Sequence, residues 1–286
     1  MAQGIALHIG LNHVDPNHYA GWDGALVACE ADARDMNTLA KKAGYEATML
    51  LAKDATAENV TAAIAGAAGR LASGDAFLLT YSGHGGQVAD KNREEADRRD
   101  ETWVLYDRQL LDDELYALWG QFKPGVRIFM LSDSCHSGTM ARRVVYEAIQ
   151  SSAEVTRSAR DFAELPDTTT PRVRVLPDEL REQVFKQHRA LYSGIQKAHP
   201  KGDKVPIGAS VILNSGCLDN QLSSDGDQNG LFTATLLKVW SGGRFTGDYR
   251  QFHRRILRRM PPWQSPNYYT VGAPNPDFET QTPFTI

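Results

Sequence analysis

The sequence predicts an α/β fold built on a mainly parallel central sheet. Three observations carry that expectation. Short apolar runs recur along the chain, stretches with helical spacing separate them, and two of the runs stop abruptly in Gly- and Ser-rich segments. Residues 4–9 form the first buried-strand candidate. Leu26, Ala33, Met36, Leu39 and Ala40 lie near helical spacing over 26–42, and Gly44 follows as a stop signal. A strand is expected over 45–51 and an alanine-rich helix over 57–71. AFLLTY at 76–81 reads as a strand that ends in SGHGG. Residues 103–106 are a short extended candidate. Asp112 and Asp113 open a helix to about residue 121, closed by Pro124-Gly125. Residues 126–131 make a strand ending in SDSCHSG, and SVILN at 210–214 makes another. Helices are expected over 231–240 and 248–260.

Two stretches break this alternation. Residues 90–101 (DKNREEADRRDE) are almost all charged, and 140–206 are polar and basic, with one helix expected over 178–197. Both read as surface insertions on a single domain, because strand–helix alternation resumes after Pro206.

Composition narrows the function. With 42% hydrophobic and 23% charged residues, the chain has enough apolar material for an ordinary core. A net charge of −4 gives no electrostatic reason to expect nucleic acid as a partner. No apolar run approaches the roughly 20 residues that span a bilayer, so no membrane partner is expected. The first residues lack the basic segment of a signal peptide. Three cysteines, Cys29, Cys135 and Cys217, argue against a disulfide framework and for a reducing, cytoplasmic setting.

Ligands of open α/β sheets bind at the C-terminal ends of strands. Two such ends carry chemistry here. His84 lies in YSGHGG and Cys135 in DSCHSG. A thiol needs a base to become a nucleophile, so the two residues suggest a Cys–His pair, with His84 also protonating the leaving amine. Backbone N–H groups at Gly85 and Cys135 are candidates for an oxyanion hole. The glycines are expected to allow tight turns and close approach by a substrate. Cys29 and Cys217 read as structural. Other chemistries fail on spacing. A tyrosine-phosphatase loop would need Arg where Ala141 stands, no phosphate-binding loop motif is present, and no paired Cys/His ligands suit zinc. DGDQNG at 225–230 starts like a calcium loop, but Leu236 occupies the position that needs Glu, so it reads as an Asp-Gly turn.

YSGHGGQ and DSCHSGT, with His84 and Cys135 51 residues apart, resemble the metacaspases and bacterial orthocaspases. That separation is near the roughly 50 of caspases. LVACEADARDMNTLA (26–40) and SVILNSGCLDNQLSSDGDQNGLFTATLLKVW (210–240) extend the resemblance over residues 1–142 and 207–286. It implies a caspase-like three-layer sandwich and an Arg- or Lys-specific, monomeric cysteine endopeptidase that needs no organic cofactor. It also implies a pocket at Cys29, Asp32, Ser82 and Asp133. Side chains two apart on a strand share a side, which suits Ser82 with His84 and Asp133 with Cys135. Carboxylates suit a guanidinium. Asp133 would otherwise oppose the Cys135 thiolate, and an incoming basic side chain would neutralise it. The family's calcium positions correspond to Asp100, Asp112 and Asp113, but the fourth is Arg142, which supplies no oxygen ligand. Arg142 is expected to pair with the carboxylates instead. Six arginines of the 140–206 insertion (142, 143, 157, 160, 172 and 174) make it a candidate for self-cleavage. A catalytically silent caspase-like scaffold is the alternative, and the retained His84 and Cys135 weigh against it.

Overall fold

The computed structural model describes residues 2–89, 99–134, 173–200, 202–217, 224–226 and 228–286. Its centre is a six-stranded sheet with strand order β2-β1-β3-β7-β8-β9. The strands are β1 (Gly4–Gly10), β2 (Glu46–Leu51), β3 (Ala76–Ser82), β7 (Arg127–Asp133), β8 (Ser210–Ser215) and β9 (Asn267–Gly272). All neighbouring pairs are parallel except β8 with β9. A smaller antiparallel sheet joins β4 (Gly85–Ala89), β5 (Arg99–Val104) and β6 (Gln109–Leu111).

Alternation along each strand builds the layers. Ile5, Leu7, Ile9, Phe77, Leu79, Ile128 and Met130 face one side, where they join α2 (Ala57–Arg70) and α3 (Asp112–Trp119) in one core. Ala6, Leu78, Phe129, Leu131 and Ile212 face the other. There they meet α1 (Cys29–Lys42), α6 (Leu231–Trp240), α7 (Tyr249–Leu257) and α8 (Pro276–Thr280). Two cores on the faces of one sheet give the three layers expected from the resemblance.

The second half of the expected 140–206 insertion differs from a surface segment. Leu176, Val184 and Tyr192 are buried with Val14, Tyr19, Val88, Val104 and Leu111 in a third apolar cluster. The helix expected over 178–197 is two helices, α4 (Asp178–Gln187) and α5 (Arg189–Ala198). The chain leaves helical geometry at His188 (φ −110°, ψ 27°). The His188 ring stacks on His18 at 3.9 Å, and its Nε2 donates to the His18 carbonyl at 3.1 Å. This tertiary contact overrides local propensity.

The helix expected from residue 26 begins at Cys29. Its first N–H groups find acceptors from distant residues: the Asn12 side chain takes those of Cys29 and Glu30, and the Asp225 carboxylate takes those of Val27 and Ala28. The β4 strand, within the segment read as a Gly-rich turn, was not anticipated. Gly83 and Gly86 keep negative φ. They are needed for space instead: a Cβ at 83 would lie 2.6 Å from the Tyr81 hydroxyl, and one at 86 would lie 2.7 Å from Gln109 Oε1.

Candidate active site

Parallel register aligns the strand ends that carry the chemistry. Gly10, Ser82 and Asp133 lie side by side at the C-terminal ends of β1, β3 and β7. Ser82 and Asp133 are on the face covered by α1 and α6. Asp32, one turn into α1, meets them there: Ser82 Oγ donates to Asp32 Oδ2 at 2.7 Å. Three of the four expected pocket residues are thus gathered from segments about 50 residues apart. Cys29, the fourth, is fully buried at the start of α1. Burial pushes its thiol well up, with the nearby Arg174 charge opposing, so Cys29 stays a neutral thiol in the pocket wall.

Two buried carboxylates side by side need compensation. The N-terminus of α6 supplies part of it. Thr233 donates its N–H (3.1 Å) and its hydroxyl (2.8 Å) to Asp133 Oδ2. The Gly230 N–H and the Asn229 amide both donate to Asp32 Oδ1 at 3.0 Å. Unpaired N–H groups and the positive end of the helix dipole favour negative charge at this place.

Arg174 supplies the rest. Its side chain is 0% exposed and fills the pocket. Nη1 donates to Ser82 Oγ (2.8 Å), to Asp133 Oδ2 (3.0 Å) and to the Asp133 carbonyl (3.1 Å). Nη2 donates to Asp32 Oδ2 (2.8 Å) and to Asp225 Oδ1 (3.0 Å). Burial alone would lower the guanidinium pKa, but Asp133, Asp32 and Asp225 outweigh it and hold the group firmly charged. Burial pushes Asp32 up to about 6, Arg174 pulls it down, and Asp133 adds like-charge repulsion. Gly230 leaves the room this needs, since a Cβ there would lie 2.5 Å from Nη2.

Sequence reasoning missed Asp225 as a pocket residue. It was read as a turn aspartate, yet it caps the start of α1 and pairs with Arg174. The available signal was DGDQNG itself, a carboxylate in a Gly-rich segment after β8, which was weighed only as a calcium loop. Arg174 was noted only as one basic residue of an insertion.

His84 follows β3 and is buried against Trp22, with ring centroids 4.7 Å apart. Its Nε2 lies 2.9 Å from the Gly24 carbonyl. A carbonyl only accepts, so Nε2 carries a proton and the basic lone pair of the neutral ring is on Nδ1. Tyr81 fixes the backbone beneath it, donating its hydroxyl to the His84 carbonyl at 2.6 Å. The Gly85 N–H, one of the two expected oxyanion donors, points to the Arg174 carbonyl at 3.0 Å. Cys135 lies outside the described residues, as do Arg142 and the other insertion arginines before 173. Cys217 is buried, and its Sγ donates to the Ser134 carbonyl at 3.4 Å.

The positions matching the family's calcium site gather at the edge of the small sheet. Asp100 Oδ2 is taken by the Gln196 side-chain amide at 2.6 Å. Asp112 is pushed well up, by burial first and then by Asp100, Asp113 and Glu101. Among the described residues, no group of three or more His, Cys, Asp or Glu side chains is arranged to hold a metal ion.

The fold is an α/β sandwich with a buried guanidinium held at the C-terminal edge of its sheet. The caspase domain model (Peptidase C14) matches residues 3–283, and the chain belongs to that family. Metacaspase-1 of Mycosarcoma maydis is 29% identical over 249 residues, covering 80% of this chain and 59% of the relative. Metacaspase-1 of Kluyveromyces lactis is 27% identical over 252 residues, covering 81% and 56%. The chain thus spans less than two thirds of the length of these curated relatives. The crystal structure of protein GSU0716 from Geobacter sulfurreducens is 47% identical, with a TM-score of 0.86 over 99% of this chain and 98% of that one. Caspase-1 from Spodoptera frugiperda, at 11% identity, shares the fold, with a TM-score of 0.51 over 95% and 86%. No helix among the described residues is long and apolar enough to cross a membrane.

Proposed function

We propose that this chain is a cysteine endopeptidase that cleaves after Arg or Lys, with Cys135 as nucleophile and His84 as base and acid. The observation that carries the specificity is the pocket formed by Asp32, Ser82, Asp133 and Asp225, which already accommodates a guanidinium with five polar contacts. Planar, charge-assisted pairing of this kind favours Arg over a neutral side chain. An acidic side chain would meet three carboxylates without a counter-charge.

In this reading, His84 Nδ1 takes the thiol proton and the Cys135 thiolate adds to the scissile carbonyl. The Gly85 and Cys135 N–H groups hold the oxyanion. His84 then protonates the departing amine, and water hydrolyses the thioester. Asp133 disfavours the thiolate only while the pocket is empty, so a basic substrate raises the nucleophile's activity as it binds. The reading includes self-processing in the 140–206 insertion, action without calcium, and a monomeric enzyme in a reducing, cytoplasmic setting.

Fluorogenic peptides differing only in Arg, Lys or Asp before the scissile bond test it, on wild type, Cys135→Ala and His84→Ala. Turnover after Arg and Lys, abolished in both variants and indifferent to EGTA, is expected. Cleavage after Asp, or undiminished turnover in Cys135→Ala, would overturn it.

A further inference from the structure

The net charge of −4 hides a local excess of the opposite sign. Helix α7 and the turn after it carry Arg250, Arg254, Arg255, Arg258 and Arg259, all exposed. Tyr249, Phe252 and Ile256 of the same helix are buried in the core shared with α6. Helical spacing therefore gives one packed face and, opposite it, a face of arginine. A helix face that is merely solvated mixes both signs. Here Arg250 pairs with Glu279 at 2.9 Å and lies over the Tyr268 ring. Among the described residues, no carboxylate lies within ion-pair distance of Arg254, Arg255, Arg258 or Arg259. Arg254 and Arg258 are four residues apart, as are Arg255 and Arg259. Like charges at that spacing destabilise a helix. The helix dipole offsets part of the cost in the last turn, and Arg259 Nη1 caps the Arg255 carbonyl at 3.1 Å. Neither effect gives a reason for acidic residues to be missing from the face.

Shape and charge together select the partner. Helical residues four apart rise about 6 Å, and alternate residues of an extended chain rise about 6.6 Å. Acidic side chains at alternate positions of an extended segment thus match Arg254 and Arg258. Leu257, 39% exposed and three residues from Arg254, offers an apolar contact beside them. A bilayer would need the apolar face of the helix, which is already packed. A nucleic-acid duplex is broad, and would meet the remainder of a chain whose net charge is negative. A single polypeptide strand meets the arginine face alone. The face also lies near the candidate site. Gln264, five residues beyond Arg259, accepts the Ser224 N–H at 3.0 Å and donates to the Gly216 carbonyl at 3.1 Å. Ser224 adjoins Asp225 of the pocket, and five residues span at most about 18 Å.

We propose that the arginine face of α7 is a docking surface for an extended, acidic segment of a partner protein. Guanidinium groups pair with carboxylates in a planar, charge-assisted way, and exposed pairs are individually weak. Several must act together, so binding is modest and salt-dependent. The surface is separate from the pocket that holds a basic side chain. It is read by binding alone, and its outcome does not depend on the peptidase reading.

The experiment uses the full chain carrying Cys135→Ala, so that no probe is consumed. The probe is a fluorescein-labelled peptide of about ten residues, with Glu or Asp at alternate positions, one Leu and no Lys or Arg. Its Kd is measured by fluorescence anisotropy, and should rise about tenfold between about 50 and 300 mM NaCl. A matched peptide with Gln and Asn in place of the acids should not bind. The combined variant Arg254→Gln, Arg255→Gln, Arg258→Gln should weaken binding about tenfold or more. Its Tm should stay within about 2 °C, since exposed like charges are being removed. The corresponding Arg→Lys variant keeps the charge and should bind within about threefold of the parent. As a control for diffuse attraction, Lys41→Gln with Lys42→Gln removes two exposed cations from the end of α1 and should change little. Undiminished binding in the Arg→Gln variant, or an equal loss in the Lys41/Lys42 variant, would overturn the surface. A loss in the Arg→Lys variant as deep as in the Arg→Gln variant would overturn charge as its basis. Tighter, Arg-dependent binding to a 20-base-pair DNA duplex or to phosphatidylserine vesicles than to the acidic peptide would overturn the choice of partner.

Discussion

Two parts of this molecule crowd carboxylates out of water, and they resolve the crowding differently. At the strand ends, Asp32, Asp133 and Asp225 share Arg174, the N-terminal N–H groups of α6 and those ahead of α1. At the edge of the small sheet, Asp112 has burial and the like charges of Asp100, Asp113 and Glu101 around it, and its carboxyl rises well above the usual range. The first cluster surrounds its carboxylates with donors; in the second, burial and like charges push the Asp112 carboxyl up. Acidic residues close in space therefore do not have one meaning. The donors around them decide whether they form a cation pocket or a cluster in which burial and like charge favour the neutral form.

The largest expected effect tests the counter-charge. In a Cys135→Ala background, which keeps any Cys135-dependent self-processing out of the measurement, Arg174→Gln removes the one guanidinium that, among the described residues, three buried carboxylates share. It should cost about 3–5 kcal/mol, measured by urea unfolding at pH 7. The loss should shrink toward pH 5. A carboxyl with a folded-state pKa raised to about 6, as Asp32 has, adds stability below its unfolded value and loses it as pH rises through 6. An equal loss at both pH values would mean that the pocket keeps its charge without Arg174.

Next comes Asp133→Asn. It leaves the Thr233 donors with a weaker acceptor and the substrate guanidinium with one carboxylate fewer. Truncating one member of a buried charge pair costs about 2–5 kcal/mol. The kcat/KM for Arg peptides should therefore fall about 30-fold or more, and full activity would remove Asp133 from recognition. Asp225→Asn should have a smaller effect, about 1–3 kcal/mol as expected for a charged hydrogen bond. It should divide between a higher KM for Arg peptides and a lower Tm, since Asp225 also accepts the N–H groups of Val27 and Ala28. A change in Tm with KM unmoved would make Asp225 a structural cap alone.

The smallest effect belongs to the second cluster. Asp112→Asn replaces a carboxyl whose neutral form burial and its neighbours already favour, so stability should move by about 1 kcal/mol or less at pH 6. Any gain should appear at higher pH, where the wild-type group would otherwise ionise. A large loss at pH 6 would show that Asp112 works as an anion and would end the contrast between the two clusters.

Much of the site was legible because its parts are local. Ser82 and Asp133 end apolar runs, so their strand-end placement followed from the runs. His84 follows the first of them in a motif, and Asp32 falls on the first helix. Asp225 and Arg174 were not legible as pocket residues. Arg174 meets Asp32 across 142 positions and Ser82 across 92, and no periodicity reports such a pairing. The same holds for the break at His188, which depends on His18, 170 positions away.

The sequence by itself determined the layered α/β fold, since alternating apolar strands and amphipathic helices can bury their faces in few other ways. It also placed a histidine and three candidate recognition residues at strand ends and at the first helix. The tertiary structure alone decided what those recognition residues hold. A guanidinium is buried only where several acceptors converge from separate elements, and convergence is a property of the packed chain. Here it turns a basic residue of an apparent surface insertion into the occupant of the pocket.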